Sequence, residues 1–274
     1  MIQELAPAKV NLVLHVGARR HDGLHELCSL FASLELADDV QVEPANKDEV
    51  ICRGVSGPNL AEAALQAFRQ SAELPPLRVT IDKRIPVAAG LGGGSADAAA
   101  VLRAANALAG HPLDAAALRT IGLGLGADVP SQVEPRHALV TGAGEGVEPV
   151  ELPAMALVLV PAREGLSTAA VYAEADRLPS TRAHLDPDAL RRLAASPLAT
   201  LAHAMENDLE AAALSLRPEL TRTLAKLEEA GALAARISGS GPTAFGVFAA
   251  RAEAESAADA FFPDDALVSA LRNE

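Results

Sequence analysis

"PVAAGLGGGSADAAA" occupies residues 86–100, and its reading decides the fold. Gly90, Gly92, Gly93 and Gly94 stand just before Ser95 and an Ala-rich run. Glycine costs conformational entropy, so such a cluster marks a backbone that bends tightly or is approached closely. In the preceding "LRVTIDKRIP", Leu77, Val79 and Ile81 alternate with Arg78, Thr80 and Asp82, the period of a half-buried strand. Beyond the glycines, Val101, Leu102, Ala105 and Leu108 recur at helical spacing. They predict a helix over residues 95–109, with Gly110 at its C-terminal end. Strand, glycine loop and helix together make an anion site, because unpaired N–H groups and the helix dipole both favour negative charge there. Asp97 in the first turn suits the dipole but would repel a phosphate unless it faces away or meets a metal.

Two phosphate motifs are excluded. A P-loop needs GxxxxGK[ST], and Gly94-Ser95 is followed by Ala96 with no Lys. A dinucleotide fingerprint starting at Gly90 needs Gly or Ala where Ser95 stands. "GLGLGA", with Gly122, Gly124 and Ala127, matches formally but follows a helix instead of a strand. A different phosphate loop and a ligand-free turn remain.

Outward from the loop, residues 10–16 alternate as a strand, and "SLFASLELADDVQVEP" reads as extended chain broken at residues 37–39. Asn59 is a plausible N-cap for a helix with Leu60, Ala64, Leu65 and Phe68 on one face. A second helix starts near Asp114. "VEPVELP", residues 147–153, is the best linker, and a strand follows it. Helices are predicted over residues 168–177, 188–194, 198–214 and 218–230, then strand, Gly turn and strand in "AARISGSGPTAFGVFA", and a final helix from Arg251. The pattern favours an α+β fold in two domains, residues 1–150 and 151–274.

The net charge of -13 and an aromatic content of 3% argue against nucleic acid as partner, since a polyanion wants basic charge and bases want stacking rings. No apolar run approaches a membrane span of about 20 residues, and the N-terminus lacks a signal peptide's basic start, so a cytoplasmic location is expected. Cys28 and Cys52 have neither disulfide-framework nor zinc spacing. Only four residues are Lys, namely Lys9, Lys47, Lys83 and Lys226.

Here the residues reach a family. "PVAAGLGGGSADAA" resembles the phosphate-binding motif of the GHMP kinase superfamily of small-metabolite kinases, "PAKVNLVL" at residues 7–14 its first motif, and "ISGSGPTAFGVF" at residues 237–248 its third. Within it, "DGLHEL", "DKRIP", "LGADVP" and "ENDLE" resemble, in order, the branch whose acceptor is 4-diphosphocytidyl-2-C-methyl-D-erythritol, on the non-mevalonate route to isopentenyl diphosphate. The resemblance implies a GHMP-kinase-like fold with its active site in the interdomain cleft and a ferredoxin-like C-terminal domain. It implies a cytidine diphosphate derivative as small-molecule substrate, ATP with Mg²⁺, and a monomer or homodimer. The rivals are another GHMP kinase, acting on mevalonate, homoserine or a sugar, and a nucleotide-binding regulatory module without turnover.

By the same resemblance, Asp128 orients the acceptor hydroxyl and takes its proton late, while Lys9 places positive charge by the transferring phosphoryl group. Pro86, Val87, Ala88, Ala89, Gly90, Leu91, Gly92, Gly93, Gly94, Ser95 and Ala96 would line ATP. Lys83 either reaches the nucleotide or is a solvated strand-end residue. Asn11 and His25 would hold the erythritol and cytosine ends, with Tyr172 stacking on the base and Gly239, Ser240 and Gly241 closing on the diphosphate. Leu24 stands where the family usually has Tyr, which implies one-sided stacking, and Ser131-Gln132 stand where it tends to be apolar. Asp97 and Ser95 are the only candidates for a metal.

Overall fold

The computed structural model describes residues 1–55, 59–178, 181–261 and 266–272. The chain forms two compact units that are not consecutive halves. One comprises Met1–Ala8, Leu36–Val87 and Gly92–Arg136, the other Lys9–Glu35, Ala88–Leu91 and His137–Glu274. A boundary at residue 150 is therefore not where contacts divide, because two long strands, β1 (Ile2–Arg19) and β2 (His25–Pro44), contribute to both units. The architecture is α+β.

In the first unit, β3 (Glu49–Cys52) runs parallel to β4 (Leu77–Asp82), and β4 pairs antiparallel with residues 39–44 of β2. Among its described residues this unit holds four helices, α1 (Leu60–Arg69) between β3 and β4, and α2 (Gly93–Leu108), α3 (Ala115–Leu123) and α4 (Val129–Val133) after β4. Asn59 caps α1 by accepting from the Ala61 amide at 2.9 Å, as its sequence position predicts. Asp114 caps α3 likewise, accepting from Ala117 at 2.8 Å. Ala61, Ala64, Leu65 and Phe68 of α1 and the small residues Ala96, Ala98, Ala99 and Ala100 of α2 are all buried in one core. Alanine on α2 lets a neighbouring helix approach closely, and burying Phe68 alone contributes roughly 1.5–3 kcal/mol.

The predicted break at residues 37–39 is absent; β2 is continuous. Asp38 is fully buried there, but its carboxylate is satisfied by Lys83 and by the Arg84 and Ile85 amides at 2.6 and 2.8 Å. A buried charge so paired does not interrupt a strand.

In the second unit, residues 27–31 of β2 pair with β5 (Ala138–Gly142), which pairs with β6 (Gly146–Pro149). The predicted linker 147–153 is thus half strand, since Val147, Glu148 and Pro149 pair with β5. A second sheet holds β7 (Ala156–Val160), β8 (Ala234–Ile237), β9 (Ala244–Phe248) and β10 (Leu267–Ala270) in the order β10-β7-β9-β8, every neighbour antiparallel. Between β7 and β8 lie α5 (Thr168–Arg177), α6 (Pro187–Ala194), α7 (Leu198–His203), α8 (Glu210–Leu216) and α9 (Leu220–Glu229), and α10 (Arg251–Ala258) precedes β10. The order is β-α-β-β-α-β. One helix over residues 198–214 is predicted; two are found. The chain between them turns to pair with β1, where Leu14 donates to the Glu206 carbonyl and accepts from the Asp208 amide, both at 2.9 Å.

Cys28 and Cys52 are free; burial pushes the Cys28 thiol up to about 11. Among the described residues, no helix is long and apolar enough to cross a membrane.

Candidate active site

In the second unit the glycine loop meets the turn after β8. Gly90 has φ +78°, and a Cβ placed on it would stand 2.4 Å from the Gly241 carbonyl oxygen and 3.1 Å from that of Ser238. The loop is tied on both sides of this contact. The Ala89 carbonyl accepts from the Thr243 amide at 3.2 Å, and the Leu91 carbonyl accepts from the Lys9 amide at 2.9 Å. The Ser238 hydroxyl donates to the Gly90 carbonyl at 3.2 Å. Gly239, φ +57°, also lies close to Asn11, whose Oδ1 would lie 2.9 Å from an added Cβ. The structure thus brings together Lys9 and Asn11, residues 88–91, and Gly239, Ser240 and Gly241. Ser240 is half-buried, and its hydroxyl shares a 3.0 Å hydrogen bond with that of the exposed Thr168.

Lys9 is 5% exposed, and its ammonium donates to Asn11 Oδ1 at 2.7 Å and lies 4.6 Å from the centre of the Phe31 ring. Asn11 Nδ2 donates to the Ser29 hydroxyl at 2.9 Å, which donates to the Val13 carbonyl at 2.6 Å. This relay aims the Lys9 ammonium. It engages both ends of the Asn11 amide with protein, so Asn11 orients Lys9 whatever else it touches.

In the first unit the loop enters α2. Gly92 is the N-cap in the left-handed region, φ +72°, and no side chain caps the helix. The helix starts at Gly93, two residues before the predicted start, so Ser95 lies inside the first turn and does not cap. The amides of Gly93, Gly94 and Ser95 precede the first intrahelical bond, from Ala96 to the Gly92 carbonyl. They form the N–H cradle that an anion requires. Lys83 neither reaches outward nor is solvated: its ammonium donates to Asp38 and, at 2.8 Å, to Asp97. A Cβ on Gly93 would lie 3.2 Å from that ammonium, so the buried ion cluster sits directly under the cradle. Burial pushes Asp97 up to about 6, against the opposing pull of Lys83. Burial lowers Lys83, and the two carboxylates more than reverse it.

Asp97, 3% exposed and turned to Lys83, does not fit as a metal ligand. Among the described residues no cluster of three or more His, Cys, Asp or Glu side chains could hold a metal ion.

Asp128 is the N-cap residue of α4, half-buried, with its side chain making no cap bond. Its backbone is fixed instead: the Ser131 hydroxyl donates to the Asp128 carbonyl at 2.8 Å, and Arg103 on α2 donates to the Gln132 carbonyl at 2.7 Å. Ser131, where the family tends to be apolar, thus steadies the Asp128 turn.

His25, 8% exposed, opens β2. Its Nε2 lies 2.8 Å from Asp176 Oδ1, and its ring stacks on Tyr172 with centroids 5.1 Å apart and planes at 28°. Tyr172 is expected on a base; one face of its ring is already against the imidazole. Leu24 beside it is 51% exposed.

The sequence assigns no partner role to Asp38, Asp176, Ser29, Arg103 or Asn207. Asp176 carries a readable signal, standing four residues from Tyr172 on one helical face. Asn207 lies in the "ENDLE" landmark without a stated role. Its Nδ2 donates to the Ile237 and Gly239 carbonyls, both at 2.8 Å, and so holds the Gly239 turn.

Residues 59–134 match the family of GHMP kinases N terminal domain, and residues 188–264 match GHMP kinases C terminal. A 4-diphosphocytidyl-2-C-methyl-D-erythritol kinase of Nocardia farcinica is 43% identical over 254 residues, covering 87% of this chain and 82% of its own. One of Anaeromyxobacter dehalogenans is 45% identical over 264 residues, covering 93% and 83%. A crystal structure of 4-(cytidine 5'-diphospho)-2C-methyl-D-erythritol kinase superposes with a TM-score of 0.83 at 35% identity, covering 100% of both chains. With the cradle, the Lys9 relay and the Gly239 turn built from the three motifs of one superfamily, the chain belongs to the GHMP kinases, in the 4-diphosphocytidyl-2-C-methyl-D-erythritol kinase family.

Proposed function

We propose that the protein transfers the γ-phosphoryl group of ATP to the 2-hydroxyl of 4-diphosphocytidyl-2-C-methyl-D-erythritol, a step toward isopentenyl diphosphate. One observation carries the reading. Relatives named as kinases of that acceptor are 43% and 45% identical over 87% and 93% of this chain.

Phosphoryl transfer asks for alignment, charge balance and a group that orients the nucleophile. The acceptor oxygen forms its bond to the γ-phosphorus as the bond to the β,γ-bridging oxygen breaks and ADP leaves. The hydroxyl proton passes to Asp128, late, because a carboxylate is too weak a base to strip an alcohol beforehand. The Gly93, Gly94 and Ser95 amides hold nucleotide phosphate oxygens, and the Lys83 cluster keeps their backbone in place. Lys9, aimed by Asn11, offsets charge on the transferring group. The nucleotide is taken as its Mg²⁺ complex, the ion held chiefly by phosphates and water, which is its habit in kinases. When bound it supplies charge neutralisation. His25 and Tyr172 receive the cytosine end.

An ADP-release assay across the cytidyl acceptor, mevalonate and homoserine tests this. Turnover of the cytidyl acceptor alone is expected. Turnover of homoserine or mevalonate in its place overturns the acceptor, and ATP binding without any turnover overturns the enzyme.

A further inference from the structure

We propose that Asp176 is a positioning residue that fixes His25 as its Nε2–H tautomer, so that Nδ1 presents a lone pair to the amino group of cytosine and rejects uracil. The inference rests on the acceptor proposed above and adds how its base is told from the closest alternative.

An ionised carboxylate only accepts hydrogen bonds. At 2.8 Å from Asp176 Oδ1, His25 Nε2 must therefore carry the proton. In a neutral imidazole the other nitrogen is then an acceptor. Among the described residues Nδ1 has no hydrogen-bond partner, so its lone pair is not engaged by the protein. Two constraints hold the ring. The Tyr172 stack fixes its plane, and the Asp176 bond fixes its rotation within that plane. Both come from one turn of α5, four residues apart, so a single helix face sets position and tautomer together.

A role in stability explains less. The Asp176 side chain is 42% exposed, and a hydrogen bond so open to water contributes little to folding. A fixed tautomer, in contrast, has a chemical consequence. The C4 position of cytosine bears an amino donor, whereas that of uracil bears a carbonyl acceptor. A lone pair on Nδ1 complements the first and opposes the second. A site built around one donor–acceptor sense rejects the reversed partner more strongly than shape alone can.

The test compares the cytidyl acceptor with its uridyl counterpart in wild type, Asp176→Asn and Asp176→Glu, by steady-state kinetics. In Asp176→Asn, KM for the cytidyl acceptor should rise roughly tenfold, and the cytidyl-to-uridyl ratio of kcat/KM should fall by a similar factor. The kcat and the KM for ATP should stay within about twofold, because no reacting atom is touched. Asp176→Glu, which keeps an acceptor-only carboxylate, should recover part of the preference. The ¹⁵N ring signals of His25, assigned by their loss in His25→Gln, should show protonated Nε2 and bare Nδ1 in wild type, and a mixture in Asp176→Asn. An unchanged ratio in Asp176→Asn, or a wild-type His25 protonated on Nδ1, with or without a proton on Nε2, overturns the proposal. A wild type that turns over neither acceptor overturns the acceptor reading and this inference with it, an outcome distinct from lost preference in an active enzyme.

Discussion

Gly90 and Gly241 meet backbone against backbone, with room for no side chain between them: a Cβ on Gly90 would stand 2.4 Å from the Gly241 carbonyl oxygen. The glycines of the loop therefore serve two different contacts. Gly90 admits the protein's own Ser238–Gly241 turn, while Gly92 supplies the left-handed bend that leaves the first amides of α2 uncapped.

Gly90→Ala should destabilise the fold by roughly 2–4 kcal/mol, the sum of left-handed strain and a clash with backbone that cannot rotate away. Gly110→Ala is the control. It has φ +81° but nothing within 4 Å of an added Cβ, so strain alone should cost about 1–2 kcal/mol. Urea midpoints compare the two, and equal losses would contradict the close approach.

How much of this was legible in the sequence follows from how local each cause is. The loop, its strand and its helix are encoded within residues 77–110, and their spacing shows them. The continuity of β2 through Asp38 is not local, because the ammonium that neutralises Asp38 is on Lys83. Nor is the break at residues 204–209, where Asn207 abandons the helix to bond carbonyls at Ile237 and Gly239. β10, four residues long, needs the edge of β7 to be a strand at all. Among the candidate residues, Lys9 and Asp128 are named by family likeness, whereas Asp97 and Ser29 gain their roles only from partners the chain brings to them.

Asn11→Leu removes the acceptor of a buried ammonium and the donor to a buried hydroxyl. Stability should fall by roughly 1–3 kcal/mol. With Lys9 no longer aimed, kcat should fall at least about tenfold while ATP affinity holds. Chemical denaturation and initial rates read the two effects, and an unaltered kcat would show that Lys9 needs no such guide.

Asp97→Asn should change the pH dependence of stability. Asp97 is raised from 3.8 to about 6 by burial, so the folded chain holds its proton more tightly than the unfolded one. Its stabilising contribution is complete below 3.8, falls as pH rises through about 6, and is constant beyond. The stability difference between Asp97→Asn and wild type should therefore shift in favour of the variant by roughly 1–3 kcal/mol from pH 4 to pH 7. Urea titrations at pH 4, 5, 6 and 7 measure it, and a pH-independent difference would contradict a raised Asp97.

Asp128→Asn keeps the shape of the α4 turn, whose backbone is held by Ser131 and Arg103, but removes the proton acceptor. The kcat should fall roughly 10²–10⁴-fold with the Kd for ATP unchanged. Stopped assays and nucleotide titration check the pair of values, and a kcat near wild type would remove Asp128 from the chemistry.

The most direct test of the account is the ³¹P NMR spectrum of the product formed from ATP and the cytidyl acceptor. Carbon 2 of that acceptor bears a methyl group and no hydrogen, whereas carbons 1 and 3 bear hydrogens. Transfer to the 2-hydroxyl predicts a new phosphate monoester resonance with no three-bond splitting by protons. A monoester signal split by neighbouring protons, or none at all while ADP accumulates, would contradict it.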